Sequence, residues 1–427
     1  MIWRVRKSKL MGAVPVPPSK SHTIRALLVG TLAGGESRLV NPLMKGDGAS
    51  ALGAAIALGA ACRQDGENLF MQGVGGNMDL GVENIDLGNS GTGLNMFMSA
   101  AAIGTRKRTF DGDASLRSRP VKSLLDALAD LGASYVIGQK ERHVPFTICG
   151  PLTGGETTVN GITSQYLSSL LMTAPLLPED SIIHVTNLHE KPYVEITLWW
   201  LDKLGIRYEI SDDFSTFKVF GNQKYAPIDL RIPGDFSGAT FGAVAAAVTG
   251  CRLSLDNIDF TDPQGDKEIF TVLERAGVRV ERLASGGVVD PVGAAIKGIE
   301  IDLNSMPDAL PAFSVFGTVA DGETRIVNVK QARIKETDRI AVMATELAKM
   351  GADITEREDG LVIRKSSLKG CRVNGHDDHR VVMSLAIAGM IAEGETIIET
   401  AESAAVTYPS FFDDFKKLGA DIVAEEE

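Results

Sequence analysis

The chain has 427 residues, of which 44% are hydrophobic, and its formal net charge is −12 at pH 7. This acidic balance argues against broad binding to nucleic acid or to anionic lipid, so any site for an anion must be local. Single hydrophobic cores stop growing near ~250 to 300 residues, and the length therefore predicts two domains.

The four cysteines are far apart in sequence, and the six histidines show no metal-ligand spacing. Neither a disulfide framework nor a metal site is predicted, and we expect a cytoplasmic protein. Residues 1–14 carry basic side chains but no apolar stretch of signal-peptide length, and no run of about 18 apolar residues follows. We therefore expect neither secretion nor a membrane partner.

A glycine landmark recurs along the chain, each time after a helix-like run that ends in an apolar residue. The successive spacings are 73, 73, 72, 74 and 68 residues, which is too regular for chance. The sequence thus predicts six copies of one supersecondary unit. The glycines are Gly59, Gly132, Gly205, Gly277, Gly351 and Gly419.

In chain order, each copy contains an apolar helix-like run and then a short strand. Residues 241–248 are apolar on every side, which is typical of a buried helix. The predicted helix and strand pairs are 23–33 with 38–40, 93–103 with 109–110, 166–177 with 182–185, 239–249 with 253–255, 310–320 with 324–327, and 381–392 with 396–398.

A second, amphipathic helix of each copy ends at the glycine landmark. In 124–131 and 341–350, apolar residues recur at helical spacing with charges between them, as in surface helices, and the glycine suits a left-handed cap. Another strand follows, for example at 134–137, 207–210 and 278–280. The predicted unit is a strand, a buried helix, a strand and an outer helix, with sheets outside a helical core.

Two proline-containing segments divide the six units into two groups of three. Pro15, Pro17 and Pro18 form one stiff crossing, and Pro233 with Gly234 forms the other. We predict one lobe at 18–233 and a second lobe made of 1–17 and 234–427.

Polar residues cluster where the buried helices are predicted to begin. Many are ordinary helix N-caps. Capping does not explain Lys20, Arg25 or Arg380, because a cation at a helix N-terminus opposes the macrodipole. An anionic ligand bound there would make the position favourable, because the cation and the backbone N–H groups would both interact with it. The clusters are 19–25, 89–92, 163–165, 235–238, 307–308 and 377–380.

Further basic residues lie near these clusters. If their segment is helical, Lys335 and Arg339 stand on one face, where like charges destabilise the helix; the alternative is a solvated helix start with compensating acids. Arg117 and Arg119 come just before a predicted outer helix, where they could also bind an anion; the alternative is that they belong to an ordinary surface loop. His379, between an aspartate and an arginine, is either structural or an acid or base.

Taken together, the motifs resemble one family over almost the whole chain: 5-enolpyruvylshikimate-3-phosphate synthase. The resemblance implies a two-domain inside-out α/β barrel built from six βαβαββ-type repeats, three per domain, that closes on substrate. The motifs, in the order found in that family, are Pro18-Ser19-Lys20-Ser21 with Arg25, Asn89-Ser90-Gly91-Thr92, Arg119-Pro120, Ser164-Gln165 with 171–175, Lys191-Pro192-Tyr193, Pro307-Asp308, 335–339 and Asp378-His379-Arg380.

The resemblance further implies transfer of the enolpyruvyl group of phosphoenolpyruvate to the 5-hydroxyl of shikimate 3-phosphate, with release of inorganic phosphate, in the shikimate pathway of aromatic amino acid biosynthesis. Phosphoenolpyruvate carries a phosphate and a carboxylate, and its enol carbon must gain a proton before a hydroxyl adds. The site therefore needs several cations and an acid. We expect no metal or organic cofactor, two small-molecule substrates as the only partners, and a monomer.

Residue roles also follow from the resemblance. Asp308 takes the proton of the attacking hydroxyl, Glu336 donates and later accepts a proton at the methylene carbon, and His379 bonds to Glu336 or the intermediate. With these, Lys20 completes the expected catalytic set. The expected phosphoenolpyruvate site is Lys20, Gly91, Arg119, Gln165, Arg339 and Arg380. The expected shikimate 3-phosphate site is Ser21, Arg25, Thr163, Ser164, Gln165, Tyr193, Asp308, Gln331 and Lys335.

Several positions depart from the family pattern. Val406 stands where many members have a lysine, and Asn95 stands where an arginine is common; Thr163 and Gln331 are mild changes. Glu190 stands where a serine often touches the shikimate phosphate. Its carboxylate would repel that group unless it turns away or pairs with the neighbouring lysine, Lys191.

Three alternatives remain open from sequence. A relative that loads enolpyruvyl onto a UDP-amino sugar usually has a cysteine in the loop matching 112–120, which here has none, and has Lys-Asn where this chain has Lys20-Ser21. A paralogue with the same chemistry on another acceptor is suggested by Glu190. An inactive scaffold that binds anions would leave Asp308 and Glu336 without a purpose.

Overall fold

A computed structural model describes residues 1–138 and 143–426 of the chain. It divides into two compact units: unit 1 is Met1–Pro17 with Pro233–Glu427, and unit 2 is Pro18–Ile232. Pro233, predicted to end the lobe at 18–233, belongs to unit 1.

The helices of the described residues begin and end as follows. They are α1 (Lys20–Leu32), α2 (Asp47–Ala57), α3 (Gly91–Ala101), α4 (Ala114–Ser118), α5 (Lys122–Asp130), α6 (Ser164–Thr173), α7 (Lys191–Lys203), α8 (Phe236–Thr249), α9 (Glu268–Arg275), α10 (Leu310–Gly317), α11 (Arg339–Lys349), α12 (His379–Gly389) and α13 (Phe411–Lys417), with 3-10 helices at Ala174–Leu176, Gly265–Lys267, Pro307–Ala309, Lys330–Ile334 and Ala401–Val406.

Short strands alternate with these helices. They are β1 (Ile2–Arg6), β2 (Gly12–Pro15), β3 (Glu36–Val40), β4 (Ala61–Asp65), β5 (Asn68–Gln72), β6 (Asn84–Asp86), β7 (Arg108–Asp111), β8 (Ser134–Ile137), β9 (Phe146–Cys149), β10 (Gly155–Asn160), β11 (Ser181–Thr186), β12 (Tyr208–Ile210), β13 (Thr216–Val219), β14 (Asp229–Arg231), β15 (Leu253–Asp256), β16 (Arg279–Leu283), β17 (Gly286–Asp290), β18 (Glu300–Asp302), β19 (Glu323–Val327), β20 (Asp353–Arg357), β21 (Gly360–Arg364), β22 (Arg372–Asn374), β23 (Glu395–Glu399) and β24 (Asp421–Glu425).

The described strands form four-stranded sheets of one repeated design, three in each unit. One outer pair of each sheet is parallel and the other two pairs are antiparallel. The orders are β14-β3-β5-β4, β6-β7-β9-β8 and β10-β11-β13-β12 in unit 2, and β16-β17-β15-β2, β18-β19-β21-β20 and β22-β23-β1-β24 in unit 1.

From β2 onward the chain runs six times through strand, helix, strand, helix, strand, strand. The second copy carries the extra short helix α4, and β1 supplies the last strand of the sixth copy. The predicted α/β class and its six βαβαββ-type repeats are confirmed.

Each unit has its own core, centred on the apolar helices. In unit 1, α8, α10 and α12 pack on one another, and in unit 2, α3 packs on α1 and on α6. Phe236 to Val248 of α8 are all buried, as predicted for a helix that is apolar on every side. The strands cover these helices with one face: in β11 the buried residues alternate, with Ile183 and Val185 inward.

The six landmark glycines end the outer helices as predicted. Each lies two residues beyond its helix, in a left-handed conformation with φ between 67° at Gly205 and 115° at Gly132. The N–H of each glycine bonds to the carbonyl three residues earlier, for example Gly205 to Asp202 at 3.0 Å. Glycine suits these positions because a Cβ is strained at positive φ.

The buried helices begin two or three residues before most of the predicted starts, because a polar side chain caps each N-terminus. Ser19, Ser90, Thr163, Asp235 and Asp378 accept bonds from backbone N–H groups of the first turn. These caps extend the helix backwards into the polar clusters, so the clusters lie at the helix N-termini.

The segment 335–339 is not one continuous helix, so the condition for a shared face is not met. Lys335 follows the 3-10 helix Lys330–Ile334, and α11 begins at Arg339. Asp338 caps α11 by accepting from the N–H of Ala341 at 3.0 Å. Because the N-cap Asp338 lies between Lys335 and Arg339, the two cations do not belong to the same helix.

Two exposed glycines of unit 2 give a matched test of the left-handed cap. An ideal Cβ on either Gly205 or Gly53 meets nothing within 4 Å, so only the backbone differs between them. Gly205→Ala should destabilise the protein by about 1 kcal/mol because alanine is strained at positive φ. Gly53→Ala, inside α2, should stabilise by up to about 1 kcal/mol. The urea unfolding midpoints of both variants are compared with that of the wild-type protein. An unchanged midpoint for Gly205→Ala would contradict the left-handed cap.

Candidate active site

Several of the residues expected to act lie in the first turn of a buried helix, in both units. Lys20 is the first residue of α1, and its Nζ lies 3.3 Å from Oδ2 of Asp47, the buried first residue of α2. A carboxylate in the first turn of α2 is favourable with the helix dipole and also balances the lysine. Lys20 is thus held at the start of a helix, with a partner from a neighbouring helix.

Arg25, one turn further along α1, is a buried cation. Its guanidinium donates to Thr197 Oγ1 at 3.0 Å, to the Ser21 carbonyl at 3.0 Å, and to Ser168 Oγ and the Tyr193 carbonyl at 3.4 and 3.0 Å. Burial lowers the pKa of Arg25 to about 10, against a smaller opposing effect from Tyr193.

No carboxylate of the described residues lies within 4 Å of that guanidinium, although α1, α6 and α7 all supply it with hydrogen bonds. A buried charge without a counter-ion is costly. The geometry therefore suits an anion beside Arg25.

Arg119 lies close to the start of α3. Its Nη2 donates to Asn89 Oδ1 at 2.7 Å and to Ser115 Oγ at 3.5 Å. An ideal Cβ on Gly91, the first residue of α3, would lie 2.7 Å from Arg119 Nη1. Glycine at this position leaves the guanidinium room to approach the backbone of the helix N-terminus, where an anion is favoured.

Three of the residues expected to bind shikimate 3-phosphate lie at the N-terminus of α6. Thr163 caps it by accepting from the Gln165 N–H at 3.4 Å. The Gln165 side chain in turn accepts from Asn95 Nδ2 at 2.8 Å. Asn95, which departs from the family pattern, therefore positions an expected ligand residue.

Ser164 donates both its backbone N–H and its hydroxyl to one oxygen, Oε2 of Glu190, at 3.3 and 3.0 Å. Glu190 is 2% exposed and immediately precedes α7 in a left-handed conformation, with φ 56° and ψ 38°. Of the two alternatives left open for Glu190, the pairing with Lys191 does not form: that ammonium lies 3.7 Å from the centre of the Phe214 ring and 3.8 Å from Glu195.

In unit 1, one arginine holds three carboxylates. Arg339, the first residue of α11, is 1% exposed and donates to Asp308 at 2.9 Å, to Glu336 at 2.5 Å and, through Nε, to Asp378 at 2.7 Å. Burial by itself lowers the pKa of Arg339, but the attraction of the three carboxylates is stronger and raises it. Arg339 therefore keeps its charge.

Asp308 bridges two arginines. Its Oδ1 accepts from Arg339, and its Oδ2 lies 2.8 Å from Nη2 of Arg380, the second residue of α12. Three carboxylates thus surround two guanidinium groups. The cluster brings cations and acid or base groups together, as chemistry on an anion requires.

The remaining expected residues of unit 1 lie near this cluster in sequence. Gln331, in the 3-10 helix Lys330–Ile334, donates to the Asn304 carbonyl at 3.0 Å. Lys335 follows the same 3-10 helix, and His379 is the buried first residue of α12.

Sequence reasoning missed Asp378 as a site residue. It is fully buried, accepts from Arg339 Nε and Nη2 and from Thr337 Oγ1, and caps α12 through the Arg380 N–H at 2.9 Å. One carboxylate thereby fixes the positions of both arginines. Its signals in the sequence were its places in the polar cluster 377–380 and in the motif Asp378-His379-Arg380.

The partners of the unit 2 cations were also missed. Asp47 pairs with Lys20, while Ser168 and Thr197 contact Arg25. Ser168 lies four residues after Ser164 and Thr197 four residues after Tyr193, so each shares a helix face with an expected site residue.

Over the ranges 1–138 and 143–426, no group of three or more His, Cys, Asp or Glu side chains is placed to hold a metal ion. Within the same ranges, no helix combines the length and the apolar character needed to cross a membrane.

Removing the charge of Asp378 should destabilise unit 1. Asp378→Asn keeps the shape but leaves a buried guanidinium short of one counter-ion, so we expect a loss of about 2 to 4 kcal/mol. Asp353→Asn is the control, because Asp353 pairs with Arg364 at 3.6 Å while 58% exposed; its change should stay under about 0.5 kcal/mol. Equal urea midpoints for the two variants would show that Asp378 does not hold the cluster.

Comparison with known proteins places the chain among its relatives. The family model described as "EPSP synthase (3-phosphoshikimate 1-carboxyvinyltransferase)" matches residues 5–415. A protein from Acetivibrio thermocellus named "3-phosphoshikimate 1-carboxyvinyltransferase" is 51% identical over 422 residues, covering 99% of each chain. Proteins of the same name from Ruminiclostridium cellulolyticum and Methanocella arvoryzae are 46% and 42% identical, and the matches cover 99% of this chain.

Among solved structures, "EPSP synthase from Acinetobacter baumannii" matches with a TM-score of 0.83 at 24% identity, covering all of both chains, which shows the shared fold. The structural match shows the fold alone, whereas the family model and the sequence relatives identify the family. The chain belongs to the EPSP synthase family.

Proposed function

We propose that this chain transfers the enolpyruvyl group of phosphoenolpyruvate to the 5-hydroxyl of shikimate 3-phosphate and releases inorganic phosphate. The relatives named 3-phosphoshikimate 1-carboxyvinyltransferase support it. The observation that carries it is the cluster in which Asp308 and Glu336 contact Arg339 while Asp308 also contacts Arg380. Anion-binding and proton-transferring groups meet there.

Binding of phosphoenolpyruvate is proposed to be a partner exchange at Arg339. Asp308 and Glu336, whose side chains are 13% and 12% exposed, leave the guanidinium, and the carboxylate of the substrate takes their place. Asp378, which is fully buried, stays. The exchange frees two carboxylates for proton transfer at the moment the substrate arrives.

The freed carboxylates have complementary tasks. Away from the guanidinium, Glu336 takes up a proton from solvent and donates it to the methylene carbon of phosphoenolpyruvate, while Asp308 accepts the proton of the attacking 5-hydroxyl. When phosphate leaves the addition intermediate, the methyl group returns a proton to Glu336, and the proton held by Asp308 leaves with the phosphate. Lys20, Arg119, Gln165 and Arg380 hold the phosphoenolpyruvate anion, with the backbone of Gly91 beside it, and His379 acts next to Glu336.

For the acceptor, we propose that its carboxylate binds Arg25. The support is the buried guanidinium, which has only neutral hydrogen-bond partners among the described residues. Ser21, Thr163, Ser164, Gln165 and Tyr193 of unit 2 and Asp308, Gln331 and Lys335 of unit 1 provide the remaining contacts. We also propose that the protein works as a cytoplasmic monomer, since each unit buries its own helices in its own core.

Lys20→Met tests the proposed site through phosphate release from phosphoenolpyruvate plus shikimate 3-phosphate. The wild-type protein should release phosphate only when both substrates are present. Loss of a cation from the reacting anion should lower turnover by about a hundredfold or more. The control is Lys107→Met, an exposed lysine of unit 2. Near-normal turnover of Lys20→Met removes that residue from the site, and a wild-type protein without release refutes the function.

Asp308→Ala tests the proposed base. Turnover should fall by about 10² to 10⁴ because proton transfer from the hydroxyl is lost. Binding of shikimate 3-phosphate should stay detectable by calorimetry, since the contacts of unit 2 remain. An unchanged rate is the result that contradicts the role, and retained folding is checked by the urea midpoint.

A further inference from the structure

Glu190 occupies donors that an incoming anion would use. Both polar hydrogens of Ser164, the backbone N–H and the hydroxyl, are directed at its Oε2. Ser164 is the first residue of α6, and both residues are buried. A carboxylate at a helix N-terminus interacts with the same dipole and the same N–H groups that bind phosphate or carboxylate ligands.

The backbone of Glu190 indicates that the contact is built rather than accidental. Its φ of 56° and ψ of 38° lie in the left-handed region, which is unfavourable for a residue with a side chain. The Glu190 carbonyl accepts from the Tyr193 N–H at 3.0 Å, which fixes this turn at the start of α7. This turn places the carboxylate of Glu190 at the N-terminus of α6.

Arg25, which has no carboxylate partner in the part of the chain that the structure describes, lies one turn away. Arg25 donates to Ser168, which is four residues after Ser164 on α6, and to the carbonyl of Tyr193 on α7. The same two helices thus present an anion position at Ser164 and a cation at Arg25. A ligand with two anionic groups fits this pair only if one group binds Arg25 and the other replaces the Glu190 carboxylate.

We propose that Glu190 is a specificity-determining residue whose carboxylate occupies the position of the acceptor's phosphate group and must be displaced from Ser164 when that group binds. This rests on the proposed function and adds a competing group within the protein. A ligand that reaches Ser164 alone, such as inorganic phosphate, must displace the carboxylate with no second contact to compensate. A doubly anionic acceptor gains the contact with Arg25 as well.

The competing view is that Glu190 only caps α6. A cap contributes to stability, and its loss leaves substrate affinities unchanged. Glu190→Gln separates the two views because it keeps the size and a hydrogen-bond acceptor for Ser164 but removes the charge. Glu190→Ser is the second variant, and Glu195→Gln is the matched control, since Glu195 lies on α7 but is 45% exposed and near Lys191.

The experiment measures the KM for each substrate and the inhibition constant of inorganic phosphate against the acceptor. Glu190→Gln should lower the KM for shikimate 3-phosphate about fivefold to tenfold, because the phosphate then displaces a neutral hydrogen bond instead of a charge-assisted one. The inhibition constant of phosphate should fall by a similar factor. The KM for phosphoenolpyruvate should change less than about twofold, and Glu195→Gln should change nothing.

An unchanged or higher KM for the acceptor in both Glu190 variants, with urea midpoints showing folded protein, overturns the proposal. A lower stability without any change in KM would assign Glu190 to capping alone. Calorimetric titration of shikimate 3-phosphate into wild-type and Glu190→Gln protein reads the same competition without turnover. Tighter binding by the variant supports the displacement even if catalysis fails, whereas equal affinities refute it.

Discussion

The first turn of a buried helix contains backbone N–H groups that have no partner within the helix and no access to water, and this constraint shapes both units. Here it is met by side chains: Ser19, Ser90, Thr163, Asp235 and Asp378 each accept from the turn that follows them. The constraint recurs because the repeat recurs. It gathers polar residues at the N-termini of otherwise apolar helices.

The same helix N-termini attract anions. In this protein, carboxylates of its own side chains pair with the cations and donors found there. Asp47 pairs with Lys20, Glu190 accepts from Ser164, and Arg339 is surrounded by acidic side chains. Under the proposed function, an anion binds at such a place by exchanging partners with a carboxylate of the protein. The free energy of binding is then the difference between two sets of charge-assisted hydrogen bonds.

Much of the fold was predictable because its signals are local. The spacing of the landmark glycines reflects a conformational requirement of single residues, and the apolar helices are recognisable from composition alone. The helix starts were less predictable, since a cap such as Asp378 belongs to a polar cluster until its bonds are known. For the same reason the sequence did not show that Asp338 caps a helix that begins between Lys335 and Arg339.

The site was predictable as a set of residue types but not as a set of contacts. Nothing local in sequence links Asp378 to Arg339, or Glu190 to Ser164, because these pairs are 39 and 26 residues apart. The neighbouring Lys191 was the natural partner for Glu190 in sequence, yet its ammonium lies over the ring of Phe214. Long-range pairing depends on how the repeats are wound, which periodicity does not specify.

The position of the first strands has a consequence for biosynthesis. β1 pairs with β23 and β24, and β2 pairs with β15, so the first residues of the chain complete sheets whose other strands are translated much later. Unit 2 is continuous in sequence and has its own core, so every partner strand of its sheets is made before residue 233. The strands β1 and β2, in contrast, lack their partners until β15 and β23 have been made, and their backbone N–H and C=O groups stay unpaired for most of synthesis.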